Sequence, residues 1–365
     1  MVADSIPKLL VRIQRDHPDI AAQYTKDRDG TFHSRSFAQL YREVQRFAAG
    51  LKDIGVKRGE PVGLISENRQ EWFVSDLAIL SLGAADVPRG NDSMPQELAY
   101  ILSFPECKVV IVENAEQLIK VASVRDEIKS LKTFIVLDPS FNDEDLERAA
   151  SESGTKLGRG LGAVPVLTYS QVVEKGDEVL RKDPDVIEKE IEQGQLDDLA
   201  TIIFTSGTTG VPKGVMLTHR NFIHQVGCVP DRVDITPGDV WLAVLPVWHS
   251  FERIVQYIAL GSASGLAYSK PIGKIMLGDF QTIKPRWMAS VPRIWEAVRA
   301  GIYRNVKSEG GVKLVLFNFF VAVGGTHKRL SDMMRGLVPD FRRRVRALDA
   351  IIAFIPWLLL WPLKA

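Results

Sequence analysis

Short apolar, β-branched runs recur along the chain, and their length restricts the fold more than any other feature. Pro61–Ser66, Lys108–Val112, Thr133–Leu137 and Leu199–Phe204 are each too brief for a buried helix and read as strands. Segments with helical spacing lie between them. Phe37, Leu40, Val44, Phe47 and Leu51 mark one helical face, and residues 70–82 form a second apolar-faced helix. Ser36 and Gln39 make a capping box before the first, and Gly55 and Gly59 close it. Repeated β-α-β order of this kind predicts an α/β fold of mostly parallel sheets flanked by helices. Farther along, the pattern predicts a strand over 239–245, a helix over 250–262 and a short strand over 286–290. A helix from 292 carries Ile294, Val298 and Ile302 on one face, and the chain beyond 311 reads as continuous helix. Residues 140–162 are acidic and then rich in Gly and Ser, which reads as a surface excursion. Residues 173–198 alternate in charge, with Gly176, Pro184 and Gly194 as breaks, and read as a solvated, partly helical connector.

The strand Leu199–Phe204 runs into Thr205-Ser206-Gly207-Thr208-Thr209-Gly210-Val211-Pro212-Lys213-Gly214. Nine of these ten residues are Gly, Thr, Ser, Pro or Lys. Glycines let backbone N–H groups approach an anion, hydroxyls donate to it, and Lys213 adds a point charge. Met216–Phe222 reads as the start of a helix, so the segment predicts strand, phosphate-binding loop, helix. It is not a Walker A loop, because Pro212 precedes Lys213 and Gly214 follows it. A Gly/Thr-rich surface loop without ligand is the plain alternative.

The segment 205–222 closely resembles the nucleotide-loop signature of the adenylate-forming enzymes, which include acyl-CoA synthetases, luciferases and peptide-synthetase adenylation domains. Leu245–Arg253 resembles the Pro-x-x-His segment of the long-chain fatty acyl-CoA synthetases. Ser290–Val298 and Gly83–Gly90 are similar to further elements of that subgroup, and the likeness extends from about the helix at 37 to the end. The resemblance implies ATP-dependent activation of a long-chain fatty acid to an acyl-adenylate, followed by attack of the CoA thiol. It implies that Thr205, Ser206, Gly207, Thr208, Thr209, Gly210 and Lys213 surround the β- and γ-phosphates, with Thr205 beside Mg²⁺. It assigns catalytic roles to His249, Lys213 and Thr205, His249 lying near the carboxylate and the α-phosphate. On the residues alone, His249 is more often structural; Trp248 and Phe251 line an acyl site or simply a core. Glu252 and Arg253 read as an ion pair of little worth if exposed. His17, His33, His219 and His224 read as structural or surface residues, and Pro292–Arg293 as a helix start.

The resemblance also predicts an incomplete N-terminal domain over 10–365, ending in helices, with the C-terminal lid domain and the second half of the enzyme absent. The family's Tyr-Gly-x-Thr-Glu and Thr-Gly-Asp segments do not occur in the sequence. A catalytically inactive fragment with residual nucleotide binding is the second expectation, and a general phosphate-loop ATPase a third that the context of Lys213 disfavours.

Composition narrows partners and compartment. Formal net charge is +1, which offers no field to attract nucleic acid. Two cysteines, Cys107 and Cys228, lack metal-ligand spacing and read as buried free thiols in a reducing cytoplasm. The N-terminal residues hold no apolar core of signal-peptide length. Ile351–Leu363 is nearly all apolar but contains two prolines, and follows Arg342, Arg343, Arg344 and Arg346. That combination suits either peripheral contact of 342–363 with a membrane or a helix covered by further protein.

Overall fold

The apolar runs assemble into two sheets. A computed structural model describes residues 3–27, 29–154, 164–205, 211–230 and 232–337, with 351, 353–354 and 356–358. The strands are β1 (Ala21–Lys26), β2 (Phe32–Ser36), β3 (Pro61–Ile65), β4 (Ala85–Arg89), β5 (Val109–Val112), β6 (Thr133–Val136), β7 (Val166–Thr168), β8 (Leu199–Thr205), β9 (Lys213–Thr218), β10 (Val240–Ala243) and β11 (Gly265–Tyr268). Seven of them form one sheet in the order β7-β6-β5-β3-β4-β8-β9, parallel except for the last pair. The other four form a sheet in the order β10-β11-β1-β2, in which only β1 and β2 are antiparallel. The carboxyl ends of the parallel strands therefore share one edge of each sheet, where ligands of open α/β sheets bind.

Helices connect the strands: α1 (Ile6–Asp16), α2 (Phe37–Asp53), α3 (Gln70–Ser81), α4 (Pro95–Ser103), α5 (Ala115–Ala122), α6 (Asp143–Ser153), α7 (Tyr169–Lys182), α8 (Val186–Glu192), α9 (His219–Cys228), α10 (Ser250–Gly261) and α11 (Gly273–Ile283). All belong to one unit, Met1–Ser290; a second unit, Val291–Ala365, holds α12 (Pro292–Glu309) and α13 (Gly311–Met334). α2 begins at the expected capping box: Gln39 N–H donates to Ser36 Oγ at 3.3 Å, and Ser36 N–H to Gln39 Oε1 at 2.8 Å. Pro292 opens α12, where its missing N–H costs nothing. α3 differs in kind, since every residue from Glu71 to Ser81 is buried, including Asp76.

Several expectations need correction. The 173–198 stretch is partly helical and largely solvent-facing, but its first helix is packed rather than free. α7 lies against α2 so closely that a Cβ on Gly176 would fall 1.8 Å from the Arg46 carbonyl oxygen, and one on Gly50 2.0 Å from that of Val172. Phe47 and Tyr169 stack there with ring centroids 4.7 Å apart. Gly176 is thus a contact, not a break. Within 140–162, residues 143–153 form α6, capped by Asn142 and ended by Gly154 at φ 67°; residues 155–163 lie outside the described residues. The strand expected at 286–290 reduces to one bridge between Trp241 and Trp287, whose rings stack at 5.6 Å. Cys107 is buried, but Cys228 is exposed on α9. No helix among the described residues is long and apolar enough to cross a membrane, and most of 342–363 lies outside them.

Candidate functional site

β8 and β9 build the frame of the Gly/Thr loop. They pair antiparallel, with Thr205 directly opposite Lys213, so the loop between them is closed at its base. Both residues are exposed at the sheet edge where the parallel strands end. The expected strand–loop–helix is corrected to strand–loop–strand–helix: residues 213–218 extend β9, and the helix starts only at His219. β9 forms because Val215, Met216 and Leu217 satisfy β8's backbone on its outer edge. Ser206, Gly207, Thr208, Thr209 and Gly210 lie outside the described residues.

His249 sits on a separate turn after β10. It is the N-cap of α10, where Nδ1 accepts from the Phe251 N–H at 3.3 Å, and it is exposed. No hydrogen bond joins it to Thr205 or Lys213 among the described residues. Trp248 beside it lies 5.1 Å from the Arg89 guanidinium and flush on Gly90, where a Cβ would come within 2.2 Å of the indole nitrogen. Asn68, in the turn after β3, donates to the Leu245 carbonyl at 2.7 Å and accepts from the Val247 N–H at 2.8 Å. Phe251 is exposed.

Below this turn lies a buried charge cluster that inspection of the sequence misses. Glu252 and Arg253 are both buried and do not pair with each other. Arg253 makes a bidentate pair with Asp86 at 2.6 and 2.7 Å, bonds Asp76, and donates to Tyr257 Oη at 2.9 Å. Tyr257 in turn donates to Asp76 at 2.8 Å, and Arg253 Nη1 reaches Thr201 of β8 at 3.5 Å. The guanidinium thereby ties α10 to α3, β4 and β8. Burial, helped by Asp86 and opposed by Arg253, pushes the Asp76 carboxyl up to about 7. Burial pushes Glu252 up to about 8. The signal in the sequence was an aspartate inside each of two apolar runs, α3 and β4, which demands a buried cation.

His219 is structural, as expected. It is buried, its Nδ1 accepts from the Ile6 N–H at 3.3 Å, and burial lowers its pKa to about 4. His33 pairs with Asp27 at 2.7 Å on the surface. A cleft of about 1000 Å³ opens between the β1–β2 hairpin and the start of α3, lined by Lys26, His33, Arg35, Arg69 and Lys270 among others. None of the expected site residues lines it, and His33 and Arg69 are engaged by Asp27 and Glu71.

Comparison with known proteins agrees with this architecture. Residues 11–338 match the family described as AMP-binding enzyme. The chain belongs to that family. Among curated AMP-binding relatives, it is 30% identical over 338 residues to the chloroplastic long-chain-fatty-acid–[acyl-carrier-protein] ligase AEE15 of Arabidopsis thaliana, covering 90% of this chain and 44% of that protein. It is 29% identical over 291 residues to fatty acyl-CoA synthetase B of Dictyostelium discoideum, covering 79% of this chain and 40% of that protein. The chain thus spans less than half the length of these relatives. Among solved structures, the A-PCP didomain of carboxylic acid reductase from Segniliparus rugosus, in complex with AMP, superposes with a TM-score of 0.68 at 23% identity, covering 84% of this chain and 44% of that one. The N-terminal domain of FACL13 from Mycobacterium tuberculosis gives a TM-score of 0.62 at 21% identity, covering 81% and 65% respectively. These two establish a shared fold.

Proposed function

We propose that the chain carries the carboxylate-activating site of an ATP-dependent fatty acid ligase. The observation that carries this reading is the Thr205–Lys213 pair at the carboxyl edge of the sheet, which flanks the segment that resembles the nucleotide loop of the adenylate-forming enzymes. In the first step a carboxylate oxygen of the fatty acid attacks the α-phosphorus of ATP. The bond to the β-phosphate breaks, pyrophosphate leaves, and a mixed anhydride forms. Lys213 and the hydroxyls and N–H groups of 205–210 would neutralise the charge that builds on the departing phosphates. His249 would orient the carboxylate rather than take its proton, since the carboxylate has none to give at neutral pH. In the second step the CoA sulfur attacks the acyl carbon, AMP leaves with the bonding pair, and the thiol proton passes to solvent.

Magnesium, when bound, would add positive charge at the phosphates. The described residues contain no group of three or more His, Cys, Asp or Glu that could hold a metal. The exposed Thr205 hydroxyl is a hard oxygen donor suited to an ion otherwise held by phosphate and water.

The test is exchange of labelled pyrophosphate into ATP by the full chain, with and without a long-chain fatty acid. Fatty-acid-dependent exchange supports the reading, and its absence removes it. ATP binding by calorimetry without exchange would favour the second reading, a nucleotide-binding segment without turnover. Thioester formation with CoA against an acyl carrier protein decides the acceptor.

A further inference from the structure

The turn that carries His249 has no regular structure of its own between β10 and α10. Its shape must therefore come from what holds its backbone. Pro246 can donate nothing, so the Leu245 carbonyl and Val247 N–H flanking it are the groups that need partners. One side chain serves both. The Asn68 amide donates to Leu245 O at 2.7 Å and accepts from Val247 N at 2.8 Å. An amide presents donor and acceptor side by side on two atoms; a carboxylate lacks the donor, and a hydroxyl carries both on a single atom. Asn68 is itself fixed, being three residues beyond Ile65, the last residue of β3. From Val247 the backbone continues through the His249 N–H, which donates to Pro246 O at 3.0 Å, into the first turn of α10, where Arg253 N–H donates to His249 O at 3.2 Å.

We propose that Asn68 is a positioning residue for His249: it joins the turn after β3 to the turn after β10 and sets where the imidazole stands. This rests on the ligase reading for its catalytic consequence, but not for its structural one. Neither Asn68 nor Glu67 or Arg69 beside it need touch substrate. The contacts of Trp248 with Arg89 and Gly90 fix the neighbouring side chain, whereas Asn68 fixes the main chain.

The experiment uses the full chain and three variants: Asn68→Ala, Asn68→Asp and His249→Ala. Hydrogen exchange read by mass spectrometry is the first readout. Asn68→Ala should expose the Val247 amide, so that peptides covering 244–250 exchange about tenfold faster while those covering β3 and β5 stay protected. Asn68→Asp keeps the acceptor for Val247 and should keep that protection, although it repels the Leu245 carbonyl. The second readout is the fatty-acid-dependent pyrophosphate exchange. Asn68→Ala should lower its kcat about 10- to 100-fold with the ATP KM unchanged, because a small misplacement of a reacting group is costly. The double variant Asn68→Ala/His249→Ala should be no slower than His249→Ala alone. Unchanged hydrogen exchange over 244–250 in Asn68→Ala overturns the proposal, as do multiplicative losses in the double variant. Wild type that lacks fatty-acid-dependent exchange sinks the ligase reading alone, and the hydrogen-exchange result then decides the role of Asn68.

Discussion

Lys213 and Thr205 are exposed, face each other across a strand pair and take no part in the core, so their roles can be tested without loss of fold. Lys213→Ala should reduce fatty-acid-dependent pyrophosphate exchange about 100-fold, with the melting temperature unchanged, as expected for removal of one charge-stabilising donor. Two buried groups should instead appear in the pH dependence of stability, with opposite signs. His219 is held neutral, its pKa lowered from 6.5 to about 4 by burial. Between those values the unfolded chain binds more protons, so stability present above pH 6.5 is lost as pH falls. His219→Gln should flatten that slope in urea midpoints measured from pH 7 to 4. Glu252 is raised from 4.5 to about 8 by burial. Its folded form keeps a proton that the unfolded chain releases, so stability present below pH 4.5 is lost as pH rises towards 8. Glu252→Gln should therefore gain on wild type between pH 5 and pH 8. An equal offset at both values would show that Glu252 is not held neutral.

Helix packing puts the same substitution to opposite use at two glycines. On α7, Gly176 meets the Arg46 carbonyl, and a methyl group there forces the helices apart. Gly176→Ala should cost about 1–3 kcal/mol in urea unfolding, the usual range for overpacking. On α11, Gly278 has nothing within 4 Å of a built Cβ and an ordinary helical backbone. Gly278→Ala should stabilise by about 0.5–1 kcal/mol through reduced chain entropy and better helix propensity. If both substitutions shift the urea midpoint in the same direction, the close approach of α2 and α7 is not what limits Gly176.

Across the larger unit, the Arg253 cluster is a buried charge centre that draws together α10, α3, β4 and β8. It holds two carboxylates against one guanidinium, and Asp76 is the carboxyl pushed towards neutrality. Asp86 makes the bidentate pair. Asp86→Asn should thus cost more than Asp76→Asn at pH 7, on the order of 3–5 kcal/mol, because it leaves a buried cation short of charge. Denaturant midpoints at pH 7 give the order, and the reverse order would mean that Asp76 is the true counter-ion. The same cluster lies one turn below His249 and reaches the strand that ends at Thr205, so it joins the foundations of the two candidate site segments.

What could be read from the residues alone was local. The β-branched runs, the Ser36–Gln39 box, the start of α12 at Pro292 and the Gly/Thr composition of the 205–214 loop all act over a few residues, and each appears where spacing put it, apart from those loop residues not described. Motif resemblance added the family, since the loop and the Pro-x-x-His segment are each an unbroken stretch of sequence. Three features were decided only by tertiary contact. Glu252 and Arg253 looked like a pair because they are adjacent, yet consecutive helical residues point about 100° apart. Arg253 instead binds aspartates 177 and 167 residues away, while Glu252 accepts from Gln256 one turn along its own helix. Gly176 looked like a helix break because nothing in its own segment shows that another backbone lies against it. Asn68 gave no sign of its role, since the carbonyl and N–H it joins are 177 and 179 residues distant. Short-range propensity and pattern set the elements; where two distant stretches of backbone meet depends on the assembled sheets, and that is where the site acquires its geometry.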